Sequence, residues 1–196
     1  MKILAVSDEE SKYFWDHYRP GKLAGIDLIL SAGDLKSEYL SFLVTMANRP
    51  LLYIHGNHDG NYEKKPPEGC ECIENRLVVV NGVRILGLGG SRKYNNGQHQ
   101  YTDRQMQLRI ARLRWKLYRA GGVDIVLTHA PPAGVGDAED VAHRGFDSFL
   151  PLMERYHPAY LVHGHVHKSY SPSFTRERQY ASTTVINASG YHIFEL

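Results

Sequence analysis

Residues 50–59 read "PLLYIHGNHD", a short apolar run that stops abruptly at glycine, asparagine, histidine and aspartate. Four other segments have the same form: "KILAVSDEE" (2–10), "DLILSAGD" (27–34), "DIVLTHAPP" (124–132) and "AYLVHGHVH" (159–167). Apolar runs of this length are too short for a typical helix and are typical of strands buried on both faces. Strands of that kind lie in sheets that helices cover on both sides. The five segments therefore predict the sheet of an α/β fold.

Helical and hairpin patterns lie between these predicted strands. The clearest helix follows Thr102 and Gln105, which fit a capping box. Its apolar positions recur at helical spacing: Met106, Ile110, Leu113 and Leu117. Apolar periods after Ser37 and around Phe149 predict two further helices. Asn81-Gly82 joins two β-rich runs and predicts a hairpin with a type I′ turn.

The composition is that of an ordinary globular protein, with 42% hydrophobic and 22% charged residues and a formal net charge of +2. No segment is apolar over the roughly 18 residues that a membrane crossing needs, and the N-terminus lacks the apolar core of a secretory signal. We therefore expect one domain over residues 1–196, in the cytoplasm, with no membrane partner. The small net charge does not favour nucleic-acid binding, and "RQMQLRIARLRWKLYRA" (104–120) is interpreted as a solvated helix face. Cys70 and Cys72 are interpreted as free thiols, since they lie too close in sequence for an easy disulfide.

Polar side chains follow each of the five predicted strands. In an α/β sheet, ligands bind outside the carboxyl ends of the strands, so these side chains would meet at one edge. One such residue is most often a cap or a turn residue, but five sets together predict a site for metal binding or proton transfer. The residues are Asp8, Glu10, Asp34, Asn57, His58, Asp59, His129, His165 and His167.

In this order the motifs resemble those of the calcineurin-like metallophosphoesterase superfamily: D-x-H, G-D, G-N-H-D/E, H and G-H-x-H. The chain has "SDEE", "AGDL", "HGNHDG", "LTHAPP" and "HGHVHK", which extend from residue 8 to residue 167. The segments "GNHD" and "GHVH" are the most specific. The resemblance, which is greatest to compact phosphodiesterase-like members, implies a four-layer α/β/β/α sandwich of two mixed sheets flanked by helices. It places a metal site at the carboxyl ends of the strands.

The resemblance also implies two divalent metal ions. Asp8, Asp34 and His167 would hold one ion. The second would be held by Asp34, Asn57, His129 and His165, so that Asp34 bridges the pair. Mn²⁺ is the expected metal, with Fe, Mg²⁺, Ni²⁺ or Zn²⁺ as alternatives.

The function that the resemblance implies is phosphodiester hydrolysis by a hydroxide that bridges the two ions. His58 would protonate the leaving oxygen or stabilise the transition state, with Asp59 as its orienting partner. The expected substrate is a phosphate-ester small molecule or a nucleotide. "GDLKSEY" (33–39) lacks the G-D-x-x-D-R-G pattern of the protein serine/threonine phosphatases, which disfavours that subclass.

The first motif departs from the family at Glu10, which stands where histidine is usual. On a strand, residues 8 and 10 share a face, so this pattern favours Glu10 over Glu9 as a ligand. A carboxylate there suits Mn²⁺, Mg²⁺ or Fe. If Glu10 turns away, the first metal is weak or absent, and the alternative function is a non-catalytic scaffold of the same fold.

Several questions remain open from the sequence. A nucleic-acid nuclease, based on the arginine-rich helix, is the second alternative function. Oligomeric state is not predicted by any motif, and His163 is either a buried, hydrogen-bonded residue or a support for a ligand. The candidates for substrate contact lie in loops and are Arg92, Tyr94, His99 and His143.

Overall fold

The computed structural model describes residues 1–167 and 174–196. The first of two large sheets contains β1 (Lys2–Ser7), β2 (Leu28–Ser31), β3 (Leu51–Tyr53), β4 (Glu71–Cys72) and β13 (Gly190–Glu195). The strand order is β13-β1-β2-β3-β4, in which β1 to β4 are parallel and β13 is antiparallel to β1.

The second sheet contains β5 (Arg76–Val80), β6 (Val83–Leu88), β9 (Ile125–Thr128), β10 (Tyr160–His163), β11 (Glu177–Tyr180) and β12 (Thr183–Asn187). Its order is β11-β12-β10-β9-β6-β5, with four parallel inner strands and an antiparallel strand at each edge. A short parallel pair is formed by β7 (Ser91–Arg92) and β8 (Gln100–Tyr101). The helices are α1 (Ser37–Ala47), α2 (Asp103–Arg119) and α3 (Phe149–Tyr156), with a 3₁₀ turn at Gly60–Glu63.

Three apolar clusters separate four layers. The central cluster packs the two sheets against each other, with Leu30 from one and Ile125 from the other both fully buried. The second cluster lies between the first sheet and α1, where Leu40 is buried. The third lies between the second sheet and the α2 and α3 layer, where Leu113 and Phe149 are buried. The predicted α/β/β/α sandwich of two mixed sheets is confirmed.

The local sequence signals explain where the elements begin and turn. The Thr102 side chain accepts from the Gln105 amide, and Gln105 reaches back to the Thr102 amide, so the predicted capping box starts α2. Asn81 and Gly82 adopt φ of 50° and 85°, the left-handed values that a type I′ hairpin needs. Strand β11 was not predicted, because its sequence "ERQY" is mostly exposed and has no apolar alternation. It is held by backbone pairing with β12.

Parallel strands of both sheets end at a common edge. The amide of Asp8, after β1, donates to the Gly33 carbonyl after β2 (3.1 Å). The amide of Gly164, after β10, donates to the His129 carbonyl after β9 (2.9 Å). The loops that carry the sequence motifs are therefore bonded to one another in pairs. Over residues 1–167 and 174–196, no helix combines the length and apolar character that a membrane crossing requires.

At the opposite edge, Arg84 and Asp124 form an ion pair at the start of β6 and β9. The Arg84 Nε and backbone amide both donate to Asp124 Oδ2, at 2.9 and 2.7 Å. This bonding holds the pKa of the Asp124 carboxyl below its ordinary value. Because the folded-state pKa is depressed, the pair stabilises the fold above the unfolded-state pKa of Asp124, and that stability is lost as pH falls through the folded-state value.

We predict that Asp124→Asn lowers the free energy of unfolding at pH 7 by about 1–2 kcal/mol, since charged hydrogen bonds contribute on that order. The loss should shrink as pH falls through the depressed pKa of Asp124, where the wild-type carboxyl is itself protonated. Urea unfolding at several pH values measures this, with exposed Asp16→Asn as the control. A pH-independent difference would contradict the prediction.

Candidate metal centre

Three of the predicted ligands have left-handed backbone within three residues after the end of a strand. Asp8, Asp34 and His165 have φ of 65°, 57° and 67°. This region costs free energy for residues other than glycine, and such residues concentrate at functional sites. At Asp8 the left-handed residue directly follows the last residue of β1, so the alternation of the strand ends there.

Asp8, Asp34 and His129 form the centre of the site. One ligand atom from each lies within 4.8 Å of the others. His129 is fully buried and its Nε2 lies 3.3 Å from Asp34 Oδ2. The other ring nitrogen, Nδ1, lies 2.8 Å from the Ala32 carbonyl, so it carries a proton and leaves Nε2 directed at the carboxylates.

The electrostatics of this group are strongly coupled. Burial alone would lower the pKa of His129, but the adjacent Asp34 carboxylate raises it to about 9. Burial would raise the pKa of Asp34, yet His129, through its charge and hydrogen bond, lowers it to about 2. Burial raises the pKa of Asp8. Asp34 and His129 thus stabilise each other's charged forms.

Asn57 and Tyr94 lie beside this group. Asn57 Oδ1 is 3.0 Å from His129 Nε2, and Asn57 Nδ2 donates to the Tyr94 hydroxyl at 3.2 Å. The phenol oxygen gives the amide nitrogen a partner, so the amide oxygen faces the site. The backbone amides of Tyr94 and Asn95 in turn donate to Gln100, which fixes the loop that carries the phenol.

The G-H-x-H segment supplies two further imidazoles. The backbone amide of His165 donates to both Asp8 oxygens at 3.0 Å, and its Nε2 lies 2.7 Å from the Ala142 carbonyl. Burial, followed by the charge of His129, lowers the pKa of His165 to about 3, so the ring is neutral as metal ligation requires. His167 Nδ1 lies 3.2 Å from Glu9 Oε1.

The two glutamates after Asp8 do not follow strand alternation, because β1 ends at Ser7. The expectation that residues 8 and 10 share a strand face is therefore wrong. Glu10 Oε1 accepts from the Lys36 amide at 3.4 Å and lies 3.6 Å from Lys36 Nζ. Glu9, which the alternation disfavoured, is the glutamate that contacts His167.

His58 and Asp59 follow Asn57 in the loop after β3. The His58 amide donates to Asp34 Oδ1 at 2.8 Å, and His58 lines a cavity of about 470 Å³ that Asp34 and Glu10 also line. Asp59 Oδ2 accepts from the amides of Asp34 and Gly56 at 2.8 and 2.7 Å. Burial, followed by the charge of Asp34, raises the pKa of Asp59 to about 6. Asp59 thus joins the loops after β2 and β3.

Two glycines let the loops approach this closely. A Cβ on Gly164 would lie 1.9 Å from Ser7 Oγ and 2.6 Å from Asp8 Oδ2. A Cβ on Gly56 would lie 2.0 Å from Asp34 Oδ1. Neither position has room for a side chain without displacing a carboxylate of the site.

Of the four candidates for substrate contact, two contact predicted metal ligands and two have other partners. Tyr94 bonds to Asn57, and the His143 ring lies 5.1 Å from the His165 ring. Arg92 instead donates to Asp147 and to the Gly145 carbonyl. His99 stacks on His55 at 4.6 Å.

Two buried groups behind the site have structural partners. His163 Nδ1 donates to the Gly164 carbonyl at 2.9 Å, and burial lowers its pKa to about 4. Sequence reasoning missed the ion pair between Glu74 and Arg109, in which Glu74 also accepts from the amides of His55 and Gly89. Glu74 belongs to no recognisable motif, and the sequence predicted Arg109 to lie on a solvated helix face.

Two mixed sheets with carboxylates, imidazoles and an amide gathered at their shared strand ends define an α/β protein that can hold metal ions at a sheet edge. A family model described as "Calcineurin-like phosphoesterase" matches residues 1–169. The chain belongs to the calcineurin-like phosphoesterase family.

Two curated relatives from Caenorhabditis elegans match this chain. "UPF0046 protein T07D4.2" is 33% identical over 139 residues, which cover 69% of this chain and 34% of that protein. "UPF0046 protein K07C11.7" is 25% identical over 191 residues, covering 83% of this chain and 62% of that protein. The chain spans between about a third and two thirds of the length of these relatives.

Two solved structures share the fold. One crystal structure superposes with a TM-score of 0.70 at 14% identity and covers 98% of this chain and 93% of its own. The crystal structure of TT1561 of Thermus thermophilus has a TM-score of 0.62 at 16% identity, with coverage of 96% and 88%.

We predict that Tyr94→Phe weakens metal binding about 10-fold without changing the fold, because the Asn57 amide loses the acceptor that orients it. Isothermal titration with Mn²⁺ measures the affinity. Tyr118→Phe, on an exposed side chain of α2, is the matched control. Equal Mn²⁺ affinities for the two variants would show that the phenol has no such role.

Proposed function

We propose that this protein is a metal-dependent phosphoesterase that hydrolyses phosphodiesters at a dinuclear metal centre. The observation that carries the proposal is the group of Asp8, Asp34 and His129, whose ligand atoms lie within 4.8 Å of one another. Carboxylates and imidazole are suitable donors for Mn²⁺, Fe and Zn²⁺. The residues come from three separate strand ends, so the fold and not one local turn assembles them. Membership of the family supports the same chemistry.

Two ions would be held by two sets of residues that have Asp34 in common. Asp8, His167 and Glu10 complete one set. The second set contains Asn57, His129 and His165. Asn57 Oδ1 and His129 Nε2, which are 3.0 Å apart, support the second set. When bound, the ions supply an activated water as nucleophile and neutralise charge on the phosphoryl oxygens.

Glu9 and Glu10 take different roles in this proposal. Glu9 contacts His167 Nδ1 at 3.2 Å, so we assign Glu9 the role of a carboxylate that orients this proposed ligand. Glu10 is the ligand. Its contacts with Lys36, at 3.4 and 3.6 Å, are at or beyond the limit of a hydrogen bond and offer little resistance to release.

The leaving oxygen needs a proton, and we propose that a side chain of the protein supplies it. His58 lines the cavity, and its backbone amide donates to Asp34, the residue that both ions would share. We assign it the transfer of a proton to the leaving oxygen. Asp59 fixes the loop that carries His58 through its two backbone hydrogen bonds.

The cavity beside His58 is proposed to receive the leaving group. Its volume of about 470 Å³ is suited to a small molecule or a nucleotide. Three lysines and four acidic residues contribute to its lining, so its side chains carry charge of both signs: Lys36, Lys64, Lys65, Glu10, Asp34, Glu38 and Asp59. Phosphodiesters of this size are the substrates to test first.

Asp34→Ala should abolish metal binding and lower hydrolysis of bis-p-nitrophenyl phosphate by about 10³-fold or more, because loss of a direct ligand exceeds the 10–100-fold effect of a supporting residue. Metal content per chain and turnover with added Mn²⁺ are measured together.

His58→Ala should keep its metal and lose about 10²–10⁴-fold in turnover. Exposed His17→Ala is the control, and undiminished turnover in Asp34→Ala would exclude the proposed function.

Glu10→Ala should reduce the metal content from two ions to one per chain. Glu9→Ala should retain two ions but bind one of them about 10–100-fold more weakly, as expected for a residue that orients a ligand. Metal analysis and Mn²⁺ titration on both variants test this. The opposite pattern would assign the ligand to Glu9, and two tightly bound ions in both variants would exclude both roles.

A further inference from the structure

Helix α2 has an apolar stripe on its outer face in addition to the face that packs on the sheet. Met106, Leu113 and Leu117 are buried against the second sheet. On the opposite side, Leu108, Trp115 and Tyr118 are 53%, 67% and 76% exposed. Large apolar side chains that share one exposed helix face mark an interaction surface.

The exposed stripe has the spacing of a helix–helix seam. Leu108, Ala111, Trp115 and Tyr118 are separated by three, four and three residues, which are the a and d positions of a heptad. The Trp115 and Tyr118 rings stack on each other, with centroids 5.8 Å apart and planes at 27°. The seam extends over almost three helical turns and ends in a stacked aromatic pair.

Arginines flank this seam on both sides. With Leu108 and Trp115 at a, Arg112 and Arg119 occupy e positions, and Arg114 occupies a g position. These are the positions that select a partner helix by charge. Over residues 1–167 and 174–196, none of the three arginines forms an ion pair with a carboxylate.

The positive charge is local to this helix. Helix α2 contains six of the chain's 23 lysines and arginines and one of its 21 acidic residues. The rest of the chain therefore carries 17 basic and 20 acidic residues, a formal charge of −3. The formal net charge of +2 is therefore the sum of a basic helix and a slightly acidic remainder of the chain.

An apolar groove continues the seam toward α3. A cavity of about 220 Å³ is lined by Ala111 and Arg114 on α2 and by Leu152, Arg155 and Tyr156 on α3. The small side chain at Ala111 leaves this groove open, with an arginine on each helix beside it.

We propose that the outer face of α2 docks an amphipathic helix of a partner protein, in which acidic residues flank the apolar stripe. The regular spacing favours a helix over single-stranded nucleic acid, which needs stacking rings but no heptad. A second copy of α2 is disfavoured, because it would set arginine against arginine at e and g. This surface is separate from the metal centre and does not depend on the proposed enzymatic activity.

The test uses the full chain and two fluorescein-labelled peptides, each about three heptads long. Both carry leucine at a and d; one carries glutamate at e and g, and the other carries lysine there. Fluorescence anisotropy should give a dissociation constant at least about 10-fold tighter for the glutamate peptide. The double variant Arg112→Glu with Arg119→Glu should reverse this preference.

A second variant separates the apolar seam from simple charge attraction. Leu108→Gln with Trp115→Gln keeps all the arginines and should lose the glutamate peptide at least about 10-fold, while circular dichroism and metal-dependent turnover stay unchanged. Equal binding of the two peptides to the wild-type chain, or full binding by this variant, would overturn the proposal. The proposal would also be overturned if an oligo(dT) strand or phosphatidylserine vesicles bound more tightly than the glutamate peptide. Self-association of the chain that is lost on charge reversal would assign the surface to a second copy instead.

Discussion

The contact between Asp34 and His129 is the interaction on which the site depends. Asp34 follows β2 of the first sheet and His129 follows β9 of the second, so this pair joins the two halves of the sandwich at the edge where the motifs meet. The second bond of the His129 ring, to the Ala32 carbonyl, ends on the same strand-end segment as Asp34. Both members are buried or nearly so, and separating them would leave a charge without a partner in a poorly solvated space.

The site also requires the backbone of neighbouring loops to lie very close to its carboxylate side chains. Gly56 and Gly164 let neighbouring loops come within contact of the carboxylates of Asp34 and Asp8. The amides of His58 and His165 then donate to those same carboxylates. The backbone amides of the loops therefore stabilise the negative charge that the carboxylates concentrate at this edge.

The sequence predicted the parts of the fold that depend on apolar pattern and turn chemistry. The five buried strands that carry the motifs, the capping box of α2 and the turn at Asn81-Gly82 are all present in the structure. Each of them depends on residues that are neighbours in the sequence. Strand β11 was missed, since an exposed edge strand needs no apolar side chains. Alternation failed after Ser7 because the strand ends there and Asp8 is left-handed, a backbone change that no residue type announces. The Glu74 and Arg109 pair was also beyond sequence reasoning, since 35 positions separate them in the chain.

The pairing of β1 bears on how the chain acquires its site during synthesis. Strand β1 lies between β2 and β13, and Ser7 is paired with Gly190, so one side of β1 is an unpaired edge until β13 has been made. Contacts between such distant positions form slowly, because the loop between them must close first. A nascent chain on the ribosome therefore exposes one side of β1 next to Asp8 until β13 has been synthesised, and this edge is a place where misassembly or chaperone binding would be favoured.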